Sequence, residues 1–347
     1  MKLKIYFLTL FLAGCYAVNG QKNKNYKSEI DSIVIATQPI EFNGVVMIAQ
    51  NGKLKYSIAR GFKDFEKKIP LNTMTDQYEI MSNSKQITAV LLLQQVDSGI
   101  IDLQSPIRKY LPELTQKWAD TVTVHQLLNH THGITDTEKP LAFKPGTRFK
   151  YGNLSYIMLG KILENKTGQA YKQLAEGLFR KLKMSNTYCY DKNNKHNLVS
   201  AYMNKDNNFV KTKGSFLNDD ILPAAGIIST PHDLALWNDA LYKGRLLKPQ
   251  TLKQMLTPST SSQHQVFGEK EMGFGYNVRI IDEAGLHYYG VTGLGDGFTC
   301  LNLYFPDTDV SLIILENQMP EKSEYWSYKE AAIKNAFLKS SLVRKGN

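Results

Sequence analysis

Cysteine is scarce in this 347-residue sequence, with only Cys15, Cys189 and Cys300 present. Cys189 and Cys300 lie too far apart in sequence to give a bridging geometry, so no disulfide framework is read and unpaired buried thiols are expected. Beyond the first seventeen residues no hydrophobic run is long enough to cross a bilayer. Fixed-period repeats and low-complexity tracts are also missing, which excludes a solenoid. Acidic residues are outnumbered, 32 against 42 basic, giving a formal charge of +10. The excess is spread thinly, with no Arg-rich helix and no aromatic stacking platform, so it reads as a solubility charge and not as a nucleic-acid surface. Anionic cell-wall polymers are the one polyanion class it favours. What remains is a chain with 42% hydrophobic residues, ample for the core of one large domain.

Lys2 and Lys4 precede an apolar run from Ile5 to Ala13, too short to span a membrane and proportioned like a signal peptide. Residues 1–20 are therefore read as a leader, whose removal lowers the formal charge to +8, and the mature chain as exported. Leu12-Ala13-Gly14-Cys15 resembles a lipoprotein lipobox, making Cys15 a possible lipidation site. An ordinary cut near Val18-Asn19-Gly20 competes with it, so both periplasmic release and a lipid anchor at the bacterial cell envelope stay open.

The stretch that organises the chain runs from Gln77 to Val96. From Ile87 onward it is apolar almost all round, which a helix tolerates only when sheathed on every side. Asp97-Ser98-Gly99 supplies its stop and Ser82 its start. Ser82 and Lys85, three residues apart, share one helix face, so the amine can reach the hydroxyl. A desolvated lysine loses pKa and can take the serine proton, and the free N–H groups of the helix start can face an oxyanion. A capping serine followed by a solvated lysine has the same spacing, so S-x-x-K alone decides nothing.

Two β-prone runs flank Asn51-Gly52, a strong hairpin signal. Strands are also read at Tyr276–Ile281, Leu286–Thr292, Thr299–Phe305 and Val310–Leu315, with a last helix from about Ser327 to Leu338. Between Ser82 and about Thr257 the pattern is helix and loop. The expected fold is α+β: an antiparallel sheet from both ends of the sequence (about 25–81 and 265–340) with flanking helices, and a mostly helical insertion (about 82–264), all in one domain spanning 25–340.

Lys144-Pro145-Gly146 forces a turn, placing Tyr151 and Asn153 on a loop that leads into a helix from Leu154 to Asn165. A phenol beside an ammonium can shuttle protons, and Asn153 offers a donor to a substrate carbonyl and an acceptor to Lys85. A core tyrosine and a capping asparagine would look alike. Further on, Tyr288 to Phe298 runs from β-pattern into Gly290, Gly293, Gly295 and Gly297, where backbone must approach something closely. No helix follows in the right register for a phosphate loop, so an edge offering N–H groups to an extended substrate is the better reading.

Taken in this order, S-x-x-K, Y-x-N and the Val291-Thr292-Gly293 strand resemble the serine β-lactamase-related family, which includes class C β-lactamases, D-alanyl-D-alanine carboxypeptidases, D-aminopeptidases and esterases. The Val124–Gly133 stretch with His130 and His132, Phe143 to Phe149, Ala225 to Leu234 and Gly297-Phe298 are similar too, so the resemblance runs from about Ile30 to about Leu338. It implies a β-lactamase/transpeptidase-like fold, with Ser82 as nucleophile, Lys85 as its base, Tyr151 as proton relay to the leaving group and Asn153 as a substrate-positioning amide. It implies further that Thr292, Gly293 and Leu294 bind substrate, with backbone N–H groups of Ser82 and Leu294 as the oxyanion hole. No cofactor is implied. The His130/His132 pair lacks a third clustered ligand for zinc, so no metal is read either.

One position departs from the pattern. The family's His or Lys before Thr-Gly falls on Val291, and His287, about 13 Å away at strand rise, is too far to replace it. Loss of that cation predicts weak carboxylate recognition and poor β-lactamase activity. The function expected is an exported serine hydrolase forming an acyl-enzyme on Ser82 with a small peptide or ester, D-alanyl peptides of peptidoglycan or a carboxylic ester. The competing reading is a penicillin-recognising or cell-wall-binding protein with little turnover.

Overall fold

Asn51 and Gly52 take φ values of +52° and +70°, the pair of left-handed residues that a type I′ turn requires. They join β1 (Gly44–Gln50) to β2 (Lys53–Arg60) as the sequence predicts. The computed structural model describes residues 25–193 and 197–344; the leader and Cys15 lie outside them. Six further strands complete the same sheet: β3 (Thr260–Ser262), β4 (Met272–Phe274), β5 (Arg279–Glu283), β6 (Leu286–Gly295), β7 (Phe298–Phe305) and β8 (Val310–Glu316). Their order is β3-β4-β5-β6-β7-β8-β1-β2, antiparallel throughout. Both ends of the sequence thus meet at the β8–β1 pairing, which confirms the expected α+β plan.

The strand read at Tyr276–Ile281 begins only at Arg279, and the reason is local. Asn277 has φ +49°, and Gly275 N–H bonds the Val278 carbonyl in a tight turn. This short register matters, because β5 pairs with β6 only from Leu286 to Gly290. Beyond that point, from Val291 to Gly295, β6 is bonded to β7 on one side and has no strand partner on the other among the described residues.

Nine helices are described: α1 (Tyr26–Ile35), α2 (Ser84–Asp97), α3 (Val124–Leu128), α4 (Leu154–Thr167), α5 (Tyr171–Lys181), α6 (Leu222–Ala225), α7 (Pro231–Tyr242), α8 (Pro249–Met255) and α9 (Tyr328–Phe337). One face of the sheet packs on α1 and α9 through Ile30, Val34, Ile314, Ile333 and Phe337. The first of these helices carries too little apolar periodicity to be read from sequence. Lys329 of α9 ties it down by donating to the carbonyls of Ile33 and Ala36 at 2.7 and 2.6 Å, a cation on free helix-end acceptors. The opposite face meets the helical region, centred on α2. Every residue of α2 from Ser84 to Leu93 is buried, as an all-round apolar helix demands. Small strands missed in the sequence also lie in this region. A Tyr202–Lys205/Asn208–Lys211 hairpin pairs with Gln318–Pro320, and Ile227–Ser229 joins Tyr78–Glu79 to Tyr188–Cys189. At two to four residues each they are too short for a period-2 pattern to register.

Candidate active site

Ser82 sits in a 3₁₀ turn, Met81–Asn83, and α2 proper starts at Ser84, two residues later than its reading from sequence. The correction has a physical origin. Met81 adopts φ +48°, a left-handed conformation that is costly for a side chain of its size, and the tight turn follows from it. The spacing still brings Ser82 and Lys85 together: Lys85 Nζ donates to Ser82 Oγ at 2.9 Å. It also donates to Asn153 Oδ1 and to the Ala224 carbonyl, both at 2.8 Å.

These three contacts define the chemistry of the amine. Lys85 is fully buried, no carboxylate pairs with it among the described residues, and burial pulls its pKa down against the opposing pull of the neighbouring Tyr151 hydroxyl. The Asn153 amide oxygen and the Ala224 carbonyl are obligate acceptors, so in the neutral amine they take both N–H groups. Its remaining tetrahedral direction, the lone pair, faces Ser82 Oγ and can accept the serine proton. Asn153 caps α4 by position, yet its side chain makes no cap hydrogen bond and serves Lys85 instead.

Ala224 reaches Lys85 because α6 is held tightly on two sides. A Cβ at Gly160 of α4 would lie 2.3 Å from Pro223 Cγ, so only glycine lets α4 and α6 approach this closely. Thr88 Oγ1 on α2 bonds the Pro223 carbonyl at 2.7 Å, and Ser84 Oγ accepts from Ile227 N–H. The Ala225–Leu234 segment of the resemblance is therefore a clamp on the back of the site. That role had no readable signal in the sequence.

Tyr151 closes the front. Its ring lies 5.0 Å from Lys85 Nζ and 4.5 Å from the His130 ring, and it is 40% exposed, so its hydroxyl can meet substrate. His130 and His132 are both buried, and burial holds both far on the neutral side. No cluster of three metal-ligating side chains occurs among the described residues. His130 is instead the support beneath Tyr151.

The second wall is the unpaired edge of β6. A Cβ at Gly293 would stand 2.4 Å from the Ile80 carbonyl and 3.0 Å from Met81 Cβ, so glycine there lets β6 lie directly against the nucleophile turn. Asn277 Nδ2, donating to the Ser82 carbonyl at 3.3 Å, braces the same turn. Thr292, Gly293 and Leu294 thus lie beside Ser82, while Val291 is buried and apolar. His287 stays at the far hairpin end, bonded to Asp282, as its distance predicts.

Arg279, at the start of β5, is a residue that sequence reasoning missed. Its Nη1 donates to Thr292 Oγ1 at 3.1 Å, its guanidinium rests between Phe267 and Phe274, and Tyr151 lies close enough to help hold its charge. Only 7% of it is exposed, its pKa is pulled down to about 10 by burial, and its Nε has no hydrogen-bond partner among the described residues. It stays cationic near neutrality, with no carboxylate paired to it among the described residues. The cation missing from Val291 therefore enters the site from the neighbouring strand. The one possible signal was a lone arginine in a β-pattern of apolar residues, Val278 to Ile281.

A family model described as beta-lactamase matches residues 36–333. The chain belongs to the beta-lactamase family. Among curated relatives, protein flp of Staphylococcus aureus (strain MRSA252) is 27% identical over 300 residues, 78% of this chain and 58% of that protein. The chain thus spans under two thirds of that relative's length. A teichoic acid D-alanine hydrolase of Staphylococcus aureus is 28% identical over 323 residues, covering 86% of this chain and 75% of that one. Among solved structures, a D-amino acid amidase from Ochrobactrum anthropi SV3 superposes with a TM-score of 0.77 at 20% identity, over 90% and 98% of the two chains, a likeness of fold.

Proposed function

We propose that this protein is an exported serine hydrolase that forms an acyl-enzyme on Ser82 with a D-alanyl or similar D-aminoacyl ester or amide. The observation that carries the reading is the arrangement at Lys85, whose two fixed acceptors leave its lone pair for Ser82. The teichoic acid D-alanine hydrolase and the D-amino acid amidase among its similar proteins support the D-configured acyl class.

The steps follow from the positions. Lys85 Nζ takes the Ser82 proton as Oγ attacks the acyl carbonyl, and the oxyanion is held by the N–H groups of Ser82 and Leu294. One such donor is worth about 3 kcal/mol in the transition state. Tyr151 passes a proton to the departing oxygen or nitrogen and is reprotonated by the Lys85 ammonium, so the alcohol or amine leaves and Lys85 returns to the neutral amine. Water then attacks the acyl-enzyme carbonyl, its proton going to Lys85, which hands it to Ser82 Oγ as the free acid departs.

Arg279 with Thr292 is assigned to an anionic group on the leaving side of the substrate. The expectation of weak carboxylate recognition rested on Val291 alone, and Arg279 removes that ground. The same residue weakens the reading of a binding protein that scarcely turns over, since that reading needed an essential charge to be lost.

Intact-protein mass spectrometry after brief incubation with a D-alanyl thioester or a penicillin tests the assignment. An acyl adduct in wild type that is absent in Ser82→Ala is expected. A folded Ser82→Ala protein that still labels or turns over would move the nucleophile elsewhere.

A further inference from the structure

The two N–H groups assigned to the oxyanion belong to different elements, Ser82 to the turn before α2 and Leu294 to the free edge of β6. Their separation is set by what holds that turn against the sheet. Gly293 permits the approach, and Asn83 fixes it. Asn83 Nδ2 donates to Cys300 Sγ at 3.1 Å, and a Cβ at Gly293 would stand 3.2 Å from the same nitrogen. Cys300 lies on β7 directly opposite Gly293 in the β6–β7 register. Each end of this tie is therefore one residue from a donor: Asn83 follows Ser82, and Gly293, against which the amide lies, precedes Leu294.

Local structure does not account for the Asn83 side chain. Asn83 stands at the N-cap of α2, where an asparagine oxygen ordinarily accepts from the first turn of the helix, yet its side chain makes no cap hydrogen bond. Its Oδ1 is buried and takes no hydrogen bond among the described residues. The helix thus forgoes a cap and the core holds an unpaired acceptor, two local rules broken with no local gain. Asn153 is diverted from its cap in the same way, and there the oxygen serves Lys85. The far end of the tie is fixed as well. Cys300 is buried, and burial raises its pKa well above the usual thiol range, so the sulfur meets Asn83 as a neutral thiol. The turn between them carries the left-handed Met81, a conformation that persists only where its surroundings over-determine it.

Resting on the acyl-hydrolase reading above, we propose that Asn83 is a positioning residue, tied through Cys300 to β7, that sets the gap between the Ser82 and Leu294 N–H groups and so the fit of the oxyanion hole. It touches neither the substrate nor the reacting atoms. Without the tie the Met81–Asn83 turn relaxes away from β6, and the two donors no longer converge on one oxygen.

Hydrolysis of a D-alanyl ester is compared with that of its thiono analogue, in which sulfur replaces the carbonyl oxygen. Sulfur accepts hydrogen bonds weakly, so a well-fitted hole favours the oxygen ester and a widened one loses much of that preference. Asn83→Ala is expected to lower kcat for the oxygen ester by about tenfold with little change in KM, and to shrink the oxygen-to-sulfur ratio of kcat/KM about fivefold or more. The pH dependence, which reports Lys85, should not move. Cys300→Ala should reproduce these changes, and Cys300→Ser, which keeps an acceptor, should hold the ratio within about twofold of wild type. The Asn83→Ala/Cys300→Ala pair should be no worse than either single variant, because both remove one contact. Melting temperatures identify the folded variants, and Cys300→Ala, which removes a single buried atom, serves where Asn83→Ala does not fold. An unchanged ratio in folded variants, additive losses in the pair, or a shifted pH profile would overturn the tie. No turnover and no Ser82 adduct in wild type would instead sink the hydrolase reading, and the positioning role with it.

Discussion

The two walls of the cleft are finished to different degrees. On the helical wall the reacting groups have their partners: all three Lys85 contacts are made, and Asn153 is spent on that lysine in place of a helix cap. Among the described residues, buried polar atoms without partners occur on both walls, Asn83 Oδ1 and His130 Nε2 on the helical one and Arg279 Nε on the sheet one, at a cost of roughly 1–3 kcal/mol each. The walls differ in their backbone: on the sheet wall five residues of β6 lack a second neighbouring strand among the described residues. An open strand edge is completed when an extended chain binds along it. The contrast teaches that proton transfer is preorganised on α2 and recognition is left for the substrate to complete on β6 and β5.

The largest effect that can separate the walls is Ser82→Ala, expected to lower hydrolysis of a D-alanyl ester by about 10⁴-fold or more, with an unchanged circular dichroism spectrum. The pH profile then examines the base. Lys85 must be neutral to act, and its pKa is lowered from the usual lysine value, so log kcat/KM should rise with pH by about one unit per pH unit and level off before the usual lysine pKa is reached. A profile that falls between about pH 6 and pH 8 would mean that the charged ammonium is the working form, and the helical wall would then play an electrostatic part only.

Substitution of Arg279 tests the opposite wall. Arg279→Gln should reduce kcat/KM for an ester bearing a carboxylate or phosphate on its leaving group by roughly ten- to hundredfold, the worth of a charge-assisted hydrogen bond. Neutral esters should change much less, and that split is what a merely structural role would not give. Arg279→Met should in addition hold or raise the melting temperature, because an unpaired buried cation is replaced by an apolar side chain of similar length. Equal losses on charged and neutral esters would erase the division of labour between the walls.

How much of this could be read from the residues follows the same division. The helical wall was legible because its chemistry is local: S-x-x-K is a three-residue spacing on one helix face, and Pro145-Gly146 announces the loop that carries Tyr151 and Asn153. The β1–β2 hairpin and α9 were legible for the same reason. Arg279 was not, since its meeting with Thr292 depends on the register of β5 against β6, and that depends on where the Asn277 turn lets β5 begin. Ala224 was hidden likewise, its carbonyl being delivered by the approach of α4 and α6 at Gly160. Val291 leaves that point of its own strand without a cation, but a neighbouring strand can supply the charge.

The smallest effect concerns the floor beneath the sheet wall. Glu316 and Glu330 are buried beside Thr299, and their neighbours include Gln318 and Lys329, which is itself committed to the Ile33 and Ala36 carbonyls. Burial raises the Glu316 pKa to about 7 and Glu330 well above its usual range. Because the folded carboxyls hold protons more tightly than unfolded ones, whose pKa is about 4.3, their contribution to stability is complete below that value. It is lost as pH rises through about 7. Glu330→Gln removes one titrating group while keeping the neutral shape. Its melting temperature relative to wild type should therefore be unchanged near about pH 4.5 and higher by about 2–4 °C near pH 8. The buried histidines His130, His132 and His264 titrate in both proteins and cancel in the difference. A gain of the same size at both pH values would show that Glu330 does not rely on its proton in the folded state. Glu330 would then be a buried negative charge beside Glu316 in the folded protein.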